Sequence, residues 1–375
     1  MSDDGAGVSA PGGGDVQAPD GERARVGGGV APAADARVVV AAPAKINLAL
    51  LVGPRRTDGY REIFSPMLPV TLADLVTARP APVGAGLAVE CEVAPGEDNL
   101  AARAVRELER RLERRFDVRL QIAKRVPAAA GLGGGSSDAV AALVAVERLF
   151  GLELPVLLRY EVAGAVGSDV PFFLWPGPQL AMGRGTVLKE IALPGPLHIV
   201  LALPGLEIAT ADVYRWFGER PSAPPGPEAE RHDFVARTQT LYAALVAARR
   251  PRDLAAVVGN DLEEPVLARH PLVGELAARL RRAGAFAAAM SGSGSSVFGL
   301  FTSAASAQRA LAALAPTRAV YVTDLQPGGP PAERRGGAGE ARFGRRPAGG
   351  AAAPGQGPAR RGSARKPRTG RPPAR

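Results

Sequence analysis

The chain has 375 residues, with 46 Lys and Arg, 37 Asp and Glu, 46 Gly and 35 Pro. This length allows a core of roughly 250 to 300 residues in one or two domains, which excludes a small scaffold stabilised by disulfides. Cys91 is the single cysteine, and the three histidines lie far apart, at positions 198, 232 and 270. The composition therefore excludes an internal disulfide, argues against a Cys/His metal cluster and favours a reducing cytosol.

The net charge of +9 is concentrated at one end of the chain. Residues 326–375 contain twelve Lys and Arg but two acidic residues, a net charge of +10, so residues 1–325 carry a net charge of −1. Such a tail permits weak, salt-dependent contact with RNA or DNA. Because it has one aromatic residue, Phe343, it lacks the interleaved rings of a stacking surface, and no specific nucleic-acid partner is expected.

Both ends of the chain are predicted to be disordered. Residues 1–36 and 326–375 contain few large apolar side chains and cannot offset the entropy cost of ordering. No run of about 18 apolar residues occurs, and the acidic start does not resemble a secretory signal. We therefore expect a cytoplasmic protein without membrane contact, in which residues 37–325 fold; the oligomeric state is left open.

Short apolar runs alternate with helical patterns in this body, but not in the strict order of a doubly wound sheet. The predicted strands are Val38–Ala42, Ile46–Val52, Leu87–Val93, Val118–Val126, Phe172–Trp175, Thr186–Ile191, His198–Leu203, Phe286–Met290, Val297–Phe301 and Ala319–Val322. The predicted helices are Asn99–Leu112, Ser137–Phe150, Leu154–Ala165, Ala209–Phe217, Leu241–Ala248, Leu272–Ala283 and Ala304–Leu314. The pattern predicts an α+β fold with two lobes. The proline-rich residues 221–227 are predicted to form a surface loop.

The glycine-rich segment Val126–Asp138 (V-P-A-A-A-G-L-G-G-G-S-S-D) follows an alternating strand and opens a helix. Its glycines let the backbone approach a ligand, and the helix N-terminus presents N–H groups to an anion. Ser136 and Ser137 either cap the helix or turn their hydroxyls toward a phosphate or a metal ion. The segment lacks the Walker A lysine and the G-x-G-x-x-G spacing. A flexible loop before a capped helix is the alternative, but the flanking strand and serines favour a phosphate cradle.

Lys45 is one of only four lysines and stands two residues before Asn47 in A-P-A-K-I-N. Two residues at this spacing in a strand point to the same face. A half-buried lysine beside an asparagine can hold an anion or a hydroxyl. A solvent-facing lysine at a sheet edge is the alternative.

Two further segments have both a chemical and a structural interpretation. Asp169, in G-S-D-V-P-F-F, is either a general base toward a substrate hydroxyl or a turn residue bonded to its own backbone. The Gly/Ser segment Met290–Phe298 is either a tight hairpin or a set of small residues brought close to the phosphate loop. The sequence leaves both pairs of alternatives open.

Taken together, A-P-A-K-x-N, P-x3-G-L-G-G-G-S-S-D, G-S-D-V-P-F-F and S-G-S-G-S, in this order, resemble the GHMP kinase superfamily. The triple glycine and R-R-T-D-G-Y at 55–60 resemble its branch that phosphorylates 4-diphosphocytidyl-2-C-methyl-D-erythritol with ATP, in the non-mevalonate pathway to isoprenoid precursors. The resemblance implies an alcohol phosphotransferase with the two-lobed GHMP kinase fold. Its lobes would be a ribosomal protein S5 domain 2-like ATP-binding lobe at 37–195 and a ferredoxin-like lobe at 196–325.

The resemblance also implies roles for individual residues. Lys45 and Asp169 would be the catalytic pair, with Asp169 accepting the proton of the substrate hydroxyl and Lys45 holding the reacting oxygen near the γ-phosphate. Mg²⁺ would neutralise the phosphate charge, with no protein metal ligand implied. Asn99 and Lys124 would lie near the adenine, and the phosphate loop would comprise Pro127, Ala128, Ala129, Ala130, Gly131, Leu132, Gly133, Gly134, Gly135, Ser136 and Ser137.

For the cytidine substrate, the resemblance implies cytosine stacking on Tyr60 and Tyr214 and polar contacts from Asn47 and Thr210. Arg61 stands where the branch usually has histidine, so its backbone would supply the contact. For Tyr214, helical spacing in D-V-Y-R-W-F leaves a core role as the alternative. A GHMP kinase for homoserine, mevalonate or a sugar would keep the catalytic pair and the loop but would not be expected to carry D-G-Y.

Overall fold

The computed structural model describes residues 31–94, 96–220, 224 and 226–324. Its strands are β1 (Val38–Asn47), β2 (Ala49–Arg55), β3 (Arg61–Pro80), β4 (Leu87–Cys91), β5 (Val118–Ala123), β6 (Gln179–Gly183), β7 (Val187–Glu190), β8 (His198–Leu203), β9 (Gly259–Asn260), β10 (Ala287–Met290), β11 (Val297–Phe301) and β12 (Arg318–Thr323). Its α-helices are α1 (Leu100–Leu112), α2 (Gly134–Leu149), α3 (Val156–Val166), α4 (Thr210–Gly218), α5 (Pro227–Ala247), α6 (Glu263–Leu267), α7 (Pro271–Arg282) and α8 (Ala304–Ala312). Short 3₁₀ helices occupy Gly96–Asp98, Pro171–Leu174 and Pro251–Ala256.

The larger sheet is organised around β3, which pairs antiparallel with β1, β2, β5 and β6 along different parts of its length. The short strand β9, from the second half of the chain, joins this sheet in parallel with β2. Buried apolar residues of β1, β3 and β5 pack against α1, α2 and α3 to form one core. This core fixes the position of α2, the helix that follows the glycine-rich segment.

The smaller sheet has the order β10-β11-β8-β12, and its neighbouring strands are antiparallel. One face packs with β1, β3 and α5 in a second core, and the other face packs with α4, α6, α7 and α8 in a third. An α+β fold with two sheets is therefore confirmed. We propose that the lobes divide at 195/196, in the segment between β7 and β8.

Three predictions of helices and strands need correction, and the predicted tails and proline-rich loop lie largely outside the described residues. The long strand β3 was not predicted, because Pro66 and Pro69 in its sequence argue against a strand. Phe172–Trp175 is not a strand, since Pro171 opens a 3₁₀ helix there. The helix predicted at Leu241–Ala248 begins much earlier, at Pro227. Its first turns lack an apolar stripe, so the sequence pattern does not predict them. The predicted tails lie outside the described residues, except residues 31–36, which form no helix or strand. Positions 221–223 and 225 of the predicted proline-rich loop also lie outside the described residues.

Candidate active site

Lys45 and Asn47 lie at the end of β1, on the same face as their spacing predicts. Lys45 is 4 % exposed, and its Nζ donates hydrogen bonds to Asn47 Oδ1 at 2.7 Å and to the Gly131 carbonyl at 3.0 Å. Asn47 Nδ2 in turn donates to Ser65 Oγ at 2.8 Å. A solvent-facing lysine is therefore wrong for this position: the ammonium is buried and is held by the glycine-rich segment.

Asp169 provides the charge opposite Lys45. It stands in the turn after α3, with its Oδ2 3.8 Å from Lys45 Nζ and its side chain 44 % exposed. Burial lowers the pKa of Lys45, and the Asp169 carboxylate opposes that shift. A buried cation thus faces an accessible carboxylate.

The helix after the glycine-rich segment begins earlier than predicted. Gly133, with φ of 68°, is the N-cap of α2, and its carbonyl accepts from Ser137 N at 3.0 Å. The helix therefore starts at Gly134, and neither Ser136 nor Ser137 caps it. The first N–H groups of a helix have no acceptor within it, so this turn presents backbone donors and the positive end of its dipole to an anion.

Glycine is required in this segment because other backbone lies very close. A Cβ on Gly131, whose φ is +75°, would stand 2.0 Å from the carbonyl oxygen of Ser291. A Cβ on Gly133 would lie 3.1 Å from Lys45 Cγ and 3.0 Å from the ring of Phe173. The glycines thus allow Lys45 and the second Gly/Ser segment to approach the loop.

The second Gly/Ser segment, between β10 and β11, does lie against the first, which resolves the alternative left open by the sequence. Ser291 Oγ accepts from Asn47 N at 3.2 Å and donates to the Gly131 carbonyl at 3.0 Å. Ser296 N donates to the Ala130 carbonyl at 3.2 Å. Asn260 holds the segment from below, because its Nδ2 donates to the carbonyls of Met290 and Gly292 at 2.9 and 2.8 Å.

These parts enclose a cavity of about 390 Å³. Its lining comprises Lys45, Asn47, Leu50, Ile63, Met67, Leu100, Pro127, Ala128, Ala129, Ala130, Gly131, Gly133, Gly134, Gly135, Ser136, Asp169, Thr210, Tyr214, Gly292 and Ser293. The cavity brings together both members of the expected catalytic pair, most of the expected phosphate loop and three of the expected substrate residues, Asn47, Thr210 and Tyr214. Leu132 and Ser137 do not line it, because both are buried behind the loop.

Asn99 and Lys124, expected near the adenine, are engaged elsewhere and do not line this cavity. Asn99 caps α1: its Oδ1 accepts from Ala101 N at 2.9 Å, and its Nδ2 donates to the Ala94 carbonyl at 2.7 Å. Lys124 Nζ donates to the carboxylates of Asp74 and Asp138 at 2.5 and 2.6 Å. Two of the three ammonium donors of Lys124 are therefore used within the protein.

The substrate residues occupy two environments. Thr210 and Tyr214 of α4 line the cavity; Thr210 Oγ1 lies 2.9 Å from Ser293 Oγ. Tyr214 also packs against the core of the smaller sheet, and burial, with the nearby Asp169 charge, raises the pKa of its hydroxyl. Tyr60, in contrast, is 51 % exposed and carries the Arg184 guanidinium 5.5 Å from its ring centre. Tyr214 therefore combines the cavity and core positions that the sequence presented as alternatives.

The Arg61 side chain is directed into the protein. Its guanidinium donates to Glu230 of α5 at 2.6 Å and to the Gly53 carbonyl at 2.8 Å. It also lies 5.1 Å from the ring centre of Phe217 in α4. With its guanidinium held there, Arg61 does not line the cavity.

Sequence reasoning missed several residues at this site. Leu50, Ile63 and Ser293 line the cavity, but apolar strand residues and a serine among serines carry no signal of their own. Asp74, which holds Lys124, comes from the unpredicted strand β3.

Among the described residues, no helix is long and apolar enough to cross a membrane.

The two-sheet fold with a glycine-rich segment at the N-terminus of α2 is that of a GHMP kinase, an ATP-dependent phosphotransferase. The family model for the N-terminal domain of GHMP kinases matches residues 99–177, and that for the C-terminal domain matches residues 242–318.

The chain is 41 % identical over 285 residues to the 4-diphosphocytidyl-2-C-methyl-D-erythritol kinase of Anaeromyxobacter sp. (strain K), covering 74 % of this chain and 85 % of that protein. It is 40 % identical over 297 residues to the enzyme of that name from Synechococcus sp. (strain JA-3-3Ab), covering 77 % and 94 %. A crystal structure of 4-(cytidine 5'-diphospho)-2C-methyl-D-erythritol kinase matches with a TM-score of 0.62 and 37 % identity, covering 77 % of this chain and 99 % of that one. The chain therefore belongs to the 4-diphosphocytidyl-2-C-methyl-D-erythritol kinase family.

Proposed function

We propose that this chain transfers the γ-phosphoryl group of ATP to the 2-hydroxyl of 4-diphosphocytidyl-2-C-methyl-D-erythritol, a step in the synthesis of isoprenoid precursors. The observation that carries the proposal is the accessible Asp169 carboxylate facing the buried Lys45 ammonium, 3.8 Å away, beside the N-terminus of α2. The names and identities of its relatives support the choice of alcohol. Membership in the same family supports a cytoplasmic location.

In the proposed reaction, Asp169 accepts the proton of the substrate hydroxyl as its oxygen attacks the γ-phosphorus. One phosphorus–oxygen bond forms and the bond to the bridging oxygen of ADP breaks, so that ADP leaves. Lys45, held by Asn47 and the Gly131 carbonyl, stabilises the negative charge on the transferred group. The N–H groups at the start of α2 bind the phosphates, and the glycines give them room to approach.

Magnesium fits the donor groups of this site. Ser136 and Asp169 place oxygen atoms on the cavity wall, and oxygen is the ligand that Mg²⁺ prefers. Mg²⁺ in phosphoryl-transfer sites is held largely by substrate phosphates and water, with one or two protein groups. When bound, the ion would neutralise phosphate charge that no lysine of the loop covers.

For the substrate, we propose that Tyr60 and Tyr214 stack on the cytosine, and that Asn47, Thr210 and the Arg61 backbone make polar contacts. The position of Thr210 and Tyr214 on the cavity wall supports this assignment. For the nucleotide, Asn99 and Lys124 stay proposed neighbours of the adenine. Lys124 would use its one remaining donor there.

The decisive experiment is ADP release by the full chain with Mg-ATP, offered the cytidine substrate beside mevalonate, homoserine and galactose. We expect ADP release with the cytidine substrate and with none of the other three alcohols. The Asp169→Asn variant measures the background rate of ADP release. Turnover confined to another alcohol would replace the proposed substrate while keeping the kinase. No turnover above the Asp169→Asn background with any of the four would overturn the proposed catalytic pair.

A further inference from the structure

Asp74 of β3 is buried against the residues that lead into the glycine-rich loop, although it precedes Val126 by 52 residues in sequence. Its side chain is 0 % exposed. Its Oδ1 accepts from the backbone N–H groups of Arg125 and of Val126, the latter at 2.8 Å, and its Oδ2 accepts from Lys124 Nζ at 2.5 Å. One carboxylate therefore fixes the last residues before the loop.

The same lysine connects the other end of the loop. Lys124 Nζ donates to Asp138 Oδ2 at 2.6 Å, and Asp138, 2 % exposed, is the fifth residue of α2. A single ammonium group thus joins the chain that enters the loop to the helix that leaves it. We call Asp74, Lys124 and Asp138 the base triad.

The base triad lies directly under the first turn of α2. A Cβ on Gly134, the first residue of that helix, would stand 3.3 Å from Lys124 Nζ. Gly134 also lines the cavity, so only the helix backbone separates the triad from the phosphate site. A displacement of Lys124 therefore acts on the N–H groups that are proposed to bind phosphate.

The charges of the base triad depend on one another. Burial alone would lower the pKa of Lys124, but Asp138 and Asp74 raise it above its ordinary value. Burial raises the pKa of Asp138 to about 6, although Lys124 opposes that shift. Because removing one member leaves an uncompensated buried charge, a change in Asp74 must be felt by the other two.

We propose that Asp74 is a positioning residue for the nucleotide: through Lys124 it holds both ends of the loop, so that the first N–H groups of α2 face the ATP phosphates. Asp74 does not line the cavity and touches no reacting atom. The inference rests on the proposed function only in that this loop binds ATP. It is independent of the identity of the alcohol.

The test is Asp74→Asn in the full chain, because the amide keeps an oxygen for Arg125 N and Val126 N but faces Lys124 with N–H groups. We expect the dissociation constant of a non-hydrolysable ATP analogue with Mg²⁺ to rise about tenfold, the size expected for loss of one charge-assisted hydrogen bond. The KM for ATP should rise equally, and the KM for the cytidine substrate should stay within about twofold.

Asp117→Asn is the matched control. Asp117 also accepts two backbone N–H groups, from Gly84 at 2.9 Å and Gly86 at 2.7 Å, and none of the three residues lines the cavity. We expect this variant to lose thermal stability without any change in nucleotide affinity. If Asp74→Asn behaves in the same way, the base triad is merely structural and the proposal is wrong.

Asp138→Asn alone covers the case in which Asp74→Asn does not fold: it should also weaken binding of the ATP analogue, and unchanged binding would contradict the proposal. Where both single variants fold, the double variant should weaken binding less than the product of the two single effects, since both act through Lys124. Independent, multiplying effects would contradict the shared route through Lys124. Because analogue binding needs no turnover, a wrong alcohol substrate leaves these measurements interpretable.

Discussion

The two sides of the cavity are formed by different kinds of groups, backbone on one side and side chains on the other. On the phosphate side, backbone N–H groups, glycines and three buried charged residues determine the geometry. On the side proposed for the alcohol, the residues are side chains from separate elements: Thr210 and Tyr214 of α4 line the cavity, and Tyr60, between β2 and β3, is half-exposed outside that lining. The proposed ATP site is thus shaped mainly by the main chain, whereas the proposed alcohol site depends on a few replaceable side chains.

Removing the proton acceptor should have the largest effect. Asp169→Asn keeps the shape of the side chain but is expected to lower kcat by roughly 10²- to 10⁴-fold, the usual contribution of a positioned general base. Steady-state kinetics and analogue binding measure this. Near-normal kcat in a folded variant would show that Asp169 is not the proton acceptor.

Gly131→Ala is expected to disrupt the backbone of the proposed phosphate site. The added Cβ would stand 2.0 Å from the Ser291 carbonyl oxygen, which forces the two Gly/Ser segments apart. We expect nucleotide affinity to fall by at least about tenfold, as expected when a positioned donor group is lost. Gly84→Ala is the control, since its φ of +83° imposes similar backbone strain with no atom within 4 Å. Equal effects in the two variants would mean that the strain, and not the contact with Ser291, is responsible.

Tyr60→Ala tests the alcohol side alone. Because stacking stabilises substrate and transition state alike, the KM for the cytidine substrate should rise about five- to tenfold, in line with aromatic stacking energies, at nearly constant kcat. Tyr242→Ala, a change of another exposed tyrosine outside the cavity lining, is the control. A rise in the KM for ATP instead would place Tyr60 on the phosphate side.

The smallest expected effect is on pH dependence. Burial lowers the pKa of Lys45 below its usual 10.5, so activity that needs the ammonium should decline as pH rises through that lowered value. Burying the charged form lowers the free energy of unfolding, and this unfavourable effect disappears as the pH rises from the lowered pKa of Lys45 to 10.5. Lys45→Arg, which stays charged, should retain a small activity without this alkaline decline; an unchanged profile would assign the decline to another group.

The backbone geometry of the glycine-rich segment is easier to predict from the sequence than the surroundings of Tyr60, Thr210 and Tyr214, for physical reasons. Glycines that admit close backbone contact occur in one continuous segment, so the loop was visible, and the spacing of Lys45 and Asn47 correctly placed both on one face. The start of α2 was missed because a left-handed glycine replaces the serine cap that Ser136 and Ser137 suggested.

Asp74 and Glu230 could not be found in the same way. Asp74 lies in a strand that prolines concealed, and its partner Lys124 is 50 residues away. Glu230 belongs to the unpredicted first part of α5 and meets Arg61 across 169 residues. Long-range polar pairs of this kind leave no periodic pattern, so only the three-dimensional structure reveals them.

The hydrogen bond from Asn47 to Ser291 spans 244 residues. The residue that supports Lys45 is thus synthesised long before the serine that holds it. Contacts of such sequence separation slow folding. A ribosome-bound chain that has not yet emerged beyond β10 lacks this contact, so the cavity around Lys45 cannot be complete until Ser291 has left the ribosome.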